Sequence, residues 1–387
     1  MKIHCLNNIS KYGLDLLPKT YEITKDVHES ELILVRSAVM HEMEIPEKLI
    51  AVARAGAGVN NIPLEKLAKS GIVVFNTPGA NANGVKELVI AGMLLSVRDI
   101  HGGLNWVKNN QSDPDIAKTV EKAKAQFGGT EISGKAIGIV GLGAIGMLVA
   151  HACKALGMRL FGYDVYLPDE RRHLLPPELV FCDSLEELYS ESDFITLHVP
   201  LTPDTKGMIN EETLDLMKPG VVILNYSRDT LVDDEAMEKA IESKKVRKYV
   251  TDFPNPKTAN MEGVLCIPHL GASTEESEDN CAMMAVKQLV NFAQNGSIIN
   301  SVNFPNCDLP ICEGASRVSI LHENTPTLLN QLTEIVSKNP KSKIIKLINN
   351  VKNNVAYTVF DIDRSIPEAL ISELQTAHGV YRVRRIQ

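Results

Sequence analysis

The sequence predicts an α/β chain of three folding units: a doubly wound parallel-sheet unit inserted in a smaller α/β unit, then a βαββαβ sandwich. Three observations carry that expectation. Short apolar strands alternate with helical segments as far as about residue 97. A second alternating series, opened by a glycine-rich turn, runs from about Ile132 to Leu270 and so does not begin the chain. From Arg317 onward the order becomes strand, helix, two strands, helix, strand.

Bulk properties narrow the class. A chain of 387 residues is too long for a single core, and 44% hydrophobic with 23% charged residues is an ordinary soluble composition. The net charge of −8 leaves no basic excess to neutralise a nucleic acid. No apolar run reaches the ~18 residues a membrane span needs, the best being Leu88 to Val97. The opening Met1-Lys-Ile-His-Cys5 reads as a strand, not a signal peptide. Seven scattered cysteines without a Cys-x-x-Cys pair suggest packed thiols in a cytoplasmic protein, with no metal centre.

In the first unit, strands are expected at residues 2–6, 32–36, 49–54 and 72–76, with Gly71 as the left-handed cap of the preceding helix. A long helix from about Gly84 to Asp99 leads into a Gly/Asn/Asp-rich stretch, residues 102–114. Next come an apolar strand at 136–140, the turn Gly141-Leu-Gly143-Ala144-Ile145-Gly146, and a helix to Leu156. Gly141 permits the turn, Gly143 lets backbone approach a pyrophosphate, and Gly146 packs helix against strand. The helix start presents N–H groups and a positive dipole end to that pyrophosphate. A strand at 159–163 delivers Asp164 to a ribose 2′-hydroxyl, which a carboxylate accepts from; the same carboxylate repels a 2′-phosphate. A Rossmann-type domain binding NAD, not NADP, is the expectation.

Further strands are expected at 194–198, 221–225, 248–252 and 265–267, and one amphipathic helix from Glu275 to Asn295. Residues 301–309, with Pro305 and Pro310 nearby, look like a linker. In the tail, strands are expected at 317–321, 344–348, 355–363 and 380–386, with Pro326 opening one helix and a Ser365–Glu368 capping box the other. The domain boundaries read as 1–97 with 286–310, 98–285, and 313–387.

The chemistry-bearing residues follow strands of the dinucleotide domain, where ligands bind in open α/β sheets. Asn225-Tyr-Ser-Arg228 follows one strand, Asp252 ends the next, and Pro268-His269-Leu-Gly271-Ala-Ser273 follows the last. An arginine grips a carboxylate in a bidentate fork. A histidine accepts a hydroxyl proton while the carbon gives hydride to nicotinamide. Arg228, His269 and NAD together are the minimum set for oxidising a 2-hydroxy acid. His198, at another strand end, is read as shaping the adenosine side of the cleft.

These stretches, with Arg54-Ala-Gly-Ala57-Gly58-Val59-Asn-Asn61, Asn76-Thr-Pro78, His198-Val199-Pro200-Leu-Thr-Pro203 and Val302-Asn-Phe-Pro305, occur in an order that resembles the D-isomer-specific 2-hydroxyacid dehydrogenases. The likeness spans essentially the whole chain and is nearest to the branch that acts on 3-phosphoglycerate. It implies a flavodoxin-like substrate domain interrupted by the Rossmann-type one. It implies that Arg228 holds the substrate carboxylate with the backbone of Ala57, Gly58 and Val59, and that His269 is the acid/base. Cofactor contacts are implied at Gly141, Gly143, Ala144, Ile145, Gly146, Asp164, His198, Val199, Pro200, Thr205, Asp252 and Gly271. Arg54 and Lys86 are the cations expected to meet a 3-phosphate. The implied reaction is NAD-dependent oxidation of D-3-phosphoglycerate to 3-phosphohydroxypyruvate for serine synthesis, in a homodimer or homotetramer. A glyoxylate/hydroxypyruvate reductase, a D-lactate-type enzyme and an NAD-sensing binding protein are the rivals.

Two departures stand out. Many members carry, after the Asp252 position, a Glu that pairs with the catalytic histidine; here the loop is shortened and Asn255 stands about where that Glu would fall. The expectation is that His269 keeps its tautomer through Asn255 or another carboxylate such as Glu262. The tail resembles the ACT domains that bind amino acids. His322-Glu-Asn324-Thr-Pro326 fits their effector loop, although Thr327 replaces the usual Gly and Lys343 stands near an expected Asn. An amino-acid effector at His322 and Asn324 is therefore expected.

Overall fold

The computed structural model describes residues 1–338 and 342–386. The chain forms two compact units, Met1–Asn81 with Glu278–Gln387, and Ala82–Ser277. The sequence-based boundaries at 97/98 and 285/286 fall inside or at the end of two long helices, Ala82–Val97 and Glu275–Asn295. Among the described residues no helix is long and apolar enough to cross a membrane.

In the first unit five parallel strands lie in the order Glu22–Thr24, Lys2–Cys5, Leu32–Val35, Ala51–Arg54, Val73–Phe75. That is the flavodoxin-like order. Glu22–Thr24 was not expected because an exposed three-residue edge strand has no apolar run to announce it. Gly71 has the left-handed φ of 64° foreseen for it. The helix Glu275–Asn295 has the expected bounds, and Ala282, Ala285, Val286, Leu289 and Phe292 pack into the core with Ile3, Leu34 and Phe75.

Residues 301–309 are not a loose linker. Ser301 bridges Phe75, Val302 N–H donates to Val74 O at 2.9 Å, and Ile298 pairs with Cys307. Phe304, Cys307 and Leu309 are buried in the same core. The prolines that suggested a linker are compatible with an edge position, where a missing N–H disrupts no ladder.

The C-terminal sheet is antiparallel, in the order Ile344–Lys352, Val355–Ile362, Ser316–Glu323, Val380–Arg385. One face carries the helices Pro326–Ser337 and Glu368–Thr376 through Val318, Ile320, Phe360, Leu332 and Leu374. The other presents Leu321, Tyr357 and Val359 to the core that holds Phe75 and Phe292. The two inner strands, Val355–Ile362 and Ser316–Glu323, are thus buried on both faces. The expected capping box is not formed: Pro367 is the N-cap residue of Glu368–Thr376, without a side-chain bond.

Three arginines join this sandwich to the parallel-sheet part of the same unit. Buried Arg317 donates to both carboxylate oxygens of Asp361, at 2.6 and 2.7 Å, and also to Asn295 O and Pro310 O. Arg382 donates to Leu49 O and Ser70 O. Arg384 donates to Phe292 O and Ala293 O, its guanidinium 4.4 Å from the Phe292 ring centroid.

The second unit is a seven-stranded parallel sheet in the order Val264–Cys266, Val246–Thr251, Val221–Asn225, Phe194–Leu197, Ala136–Val140, Arg159–Tyr163, Val180–Phe181. The chain direction across the sheet reverses between Ala136–Val140 and Phe194–Leu197, which makes the ends of those strands the topological switch point. Ala82–Val97 packs Val85, Val89, Met93 and Val97 against Val149 and Ala150. The Gly/Asn/Asp-rich stretch is helical over Ile100–Asn109 because Asp99 caps it, accepting from Gly102 N–H at 2.9 Å.

Asp361→Asn is expected to lower the urea midpoint, because removing one partner strands a buried guanidinium charge at a cost of about 3–5 kcal/mol. Replacing Arg317 and Asp361 together by Met and Leu should recover most of that loss. Additive losses in the double variant would show that the pair itself is not the cause.

Candidate active site

The glycine turn sits where the sheet reverses direction, and each glycine has a distinct physical reason. Gly141 has φ 91°, and a Cβ there would stand 2.6 Å from His198 O. A Cβ on Gly146 would collide with the Gly141 carbonyl oxygen. At Gly143 nothing lies within 4 Å of a would-be Cβ. This open space stands directly before the helix Ala144–Ala155, whose first-turn N–H groups at Ala144, Ile145 and Gly146 lack intrahelical acceptors. Only there does the loop leave room for a phosphate to reach backbone.

Asp164 follows the neighbouring strand. One carboxylate oxygen accepts from Leu142 N–H at 2.7 Å and the other from Tyr166 N–H at 2.8 Å. Each oxygen keeps a lone pair for a ribose hydroxyl, and the bond to Leu142 ties the acid to the glycine turn. His198 lies across that turn. Its Nε2 is 2.9 Å from Thr196 Oγ1, its Nδ1 is buried without a partner, and burial pushes the ring down to about 3, so it is neutral. Thr205 Oγ1 donates to Pro200 O at 2.7 Å and holds the turn that follows Val199.

Arg228, Asp252 and His269 lie at or just beyond the carboxyl ends of three neighbouring parallel strands. Arg228 is exposed, with its guanidinium 2.6 Å from Ser227 O. Its main chain is fixed from below: Asn225 Nδ2 donates to Arg228 O at 2.8 Å and Ser227 Oγ to Leu197 O at 2.6 Å. Asp252 is buried and accepts from Gly271 N–H at 3.0 Å, while its Oδ1 is buried without a partner. Burial raises its carboxyl above the usual carboxylate range, against the pull of the Gly271 N–H and of nearby His269. His269 is exposed and rests on Phe253, ring centroids 4.6 Å apart. A buried carboxyl with one oxygen without a partner is suited to a cofactor amide.

Asn255 does not hold His269. Its Nδ2 donates to Asp229 at 3.1 Å and Asp234 at 2.8 Å, and its Oδ1 accepts from the N–H groups of Lys257 and Thr258, both at 2.9 Å. The amide is saturated, clamping two carboxylates and a turn. Glu262 is exposed, and the carboxylate whose pKa the His269 charge pulls down is Asp252. Phe253, which no sequence pattern singled out, is the ring's packing partner.

The remaining candidates lie in other surroundings. Arg54, in the first unit, ends its strand and donates through Nε to Arg36 O at 3.0 Å. The following loop is braced by Asn76 Nδ2 donating to Ala57 O, with Gly58 and Val59 partly buried. Lys86 belongs to the second unit, on the helix Ala82–Val97, paired with Glu87 at 3.5 Å. His322 is buried, its Nε2 and Nδ1 each 2.7 Å from Thr358 Oγ1 and Glu323 O. Asn324 is exposed and donates to Asn353 O at 3.3 Å.

Residues 90–271 match the family description "D-isomer specific 2-hydroxyacid dehydrogenase, NAD binding domain". Over 375 residues the chain is 33% identical to the D-3-phosphoglycerate dehydrogenase of Haemophilus influenzae, covering 94% of this chain and 87% of that one. It is 35% identical over 294 residues to the D-3-phosphoglycerate dehydrogenase of Methanocaldococcus jannaschii, and that match covers 74% of this chain but only 54% of the longer relative. The NAD+-bound 3-phosphoglycerate dehydrogenase structure from Entamoeba histolytica superposes with TM-score 0.62 at 29% identity, over 80% of this chain and 99% of that one.

Gly143→Ala is expected to weaken NADH binding at least tenfold without lowering thermal stability, because its Cβ would fill only ligand space. Unchanged NADH affinity would move the phosphates elsewhere. Asn255→Ala should cost about 1–3 kcal/mol of stability and leave the pH dependence of turnover in place. A shifted pH profile at unchanged stability would return Asn255 to the histidine.

Proposed function

The chain belongs to the D-isomer-specific 2-hydroxyacid dehydrogenase family, and we propose that it oxidises D-3-phosphoglycerate to 3-phosphohydroxypyruvate with NAD as acceptor. The observation that carries the reading is the set Arg228, Asp252 and His269 on three adjacent strand ends of the NAD-binding domain. The names of the relatives support the substrate, since those from Haemophilus and Methanocaldococcus are both D-3-phosphoglycerate dehydrogenases.

NAD, when bound, supplies the hydride acceptor. The chain's own residues do the rest. Arg228 grips the substrate carboxylate in a two-point fork and, in the reverse direction, polarises the adjacent 2-oxo group toward hydride. His269 takes the C2 hydroxyl proton as the carbon–hydrogen bond breaks and returns it in the reverse direction. Asp252 lies near enough to stabilise the imidazolium so formed, which gives the site a carboxylate without the Glu that relatives use. Lys86 is the cation of this unit proposed to meet the phosphate. The protein is read as a cytoplasmic homodimer or homotetramer of the serine-synthesis route.

NADH oxidation with 3-phosphohydroxypyruvate, glyoxylate and pyruvate side by side tests the reading. The phosphorylated acid should be preferred, and His269→Ala should lose about 10²–10⁴-fold in kcat. Turnover of the plain acids alone would place the chain with the glyoxylate or lactate enzymes of the family. Lys86→Ala should raise KM for the phosphorylated acid and not for glyoxylate; an equal rise for both would remove Lys86 from the phosphate.

A further inference from the structure

A cavity of about 500 Å³ lies in the first unit, between one face of the helix Glu275–Asn295 and the segments at 79–80 and 297–300. The helix contributes Asn280, Met284, Lys287 and Asn291, spaced i, i+4, i+7 and i+11, with Met283 and Gln288 beside that stripe. The glycine turn and Asp164 belong to the other unit, so this is not the adenosine end of the dinucleotide site.

Gln288 is the buried member of the face, only 8% exposed. Its Nε2 donates to Asn76 O at 3.1 Å. A carbonyl can only accept, so turning the carboxamide round would set oxygen against oxygen, and the orientation is fixed. Oε1 is then the atom left over, and it is buried without a hydrogen-bond partner. An acceptor shut away from water in this manner is incomplete until a donor reaches it.

The neighbouring side chains narrow what that donor belongs to. Met283 and Met284 are partly buried, and their unbranched, polarisable thioethers favour a flat aromatic ring. The carboxamides of Asn280 and Asn291 can each meet a donor and an acceptor, as the edge of a heterocyclic base requires. Lys287 is exposed on the same face and brings one positive charge to the mouth.

We propose that this cavity binds an aminopurine 5′-nucleotide, its exocyclic amino group donating to Gln288 Oε1, its ring on the two methionines and its phosphate at Lys287. The volume lies within the range of about 300–1,000 Å³ usual for small-molecule sites. Two walls of the site converge on Asn76. Gln288 holds its carbonyl, Asn300 O accepts from its N–H at 3.3 Å, and its Nδ2 donates to Ala57 O at 2.6 Å. A nucleotide on Gln288 is thus one residue away from the brace of the Ala57–Val59 loop.

The test is calorimetric binding to the full chain, with NADH present throughout to fill the dinucleotide site. AMP, GMP and purine riboside 5′-monophosphate, which lacks the amino group, are the probes. No turnover is measured, so the result stands apart from the substrate assignment. Saturable binding of AMP or GMP is expected, with the amine-free nucleotide roughly tenfold weaker. AMP alone would identify adenine as the base, GMP alone guanine. Gln288→Leu should remove the preference for the amine. Lys287→Met, at an exposed position that the fold does not depend on, should weaken the nucleotide roughly tenfold while leaving NADH affinity unchanged. No binding of AMP or GMP at millimolar concentration would overturn the proposal. So would equal affinity for the amine-free nucleotide, or binding undiminished by Lys287→Met.

Discussion

Backbone meets backbone at the turn after Ala136–Val140, and the rest of the second unit is arranged around that approach. The Gly141 carbonyl occupies the place of a side chain at Gly146, and the His198 carbonyl occupies that of Gly141. Two glycines without Cβ atoms let the helix Ala144–Ala155 start against the ends of two strands, so its free N–H groups open at the point where the sheet reverses. Gly143 is different in kind, since its missing side chain leaves space and not contact. Asp164, anchored on Leu142 N–H, then has a fixed distance from the turn.

The catalytic candidates depend on the same sheet for position and on burial for chemistry. Arg228 and His269 are exposed ends on rigid supports, with Asn225, Ser227 and Phe253 beneath them. Asp252 is the buried member, with one oxygen on Gly271 N–H and the other without a partner, and burial raises its pKa. The shortened loop that lost a Glu has not left a gap. Asn255 has become the centre of a local clamp between Asp229 and Asp234, and Asp252, whose pKa the His269 charge pulls down, stands at the strand end.

The C-terminal sandwich is held to the parallel sheet of its unit by arginines that cap carbonyls more than by ion pairs. Arg382 and Arg384 end on main-chain oxygens of Leu49, Ser70, Phe292 and Ala293, and burial lowers both. Such contacts fix geometry strongly, because a guanidinium removed from them has no alternative partner in the core. With Tyr357 and Val359 in the same core as Phe75, the sandwich is continuous with the sheet that carries Asn76 and the Ala57–Val59 loop.

By itself the sequence determined the alternation of strands and helices, the parallel sheets, the glycine turn, Asp164 and the strand-end placement of Arg228, Asp252 and His269, because each is a local pattern of period, turn chemistry or residue type. It missed Glu22–Thr24 and Val180–Phe181, short edge strands stabilised by a neighbour and not by their own composition. It took 301–309 for a linker because prolines speak of local breaks, whereas Phe304 and Cys307 find their partners in distant chain. Tertiary structure alone decided what Asn255 bonds, that Phe253 backs His269, and that His322 is buried. The reason is common to all three: hydrogen-bond saturation and burial are set by residues far away in sequence, and spacing along the chain carries no record of them.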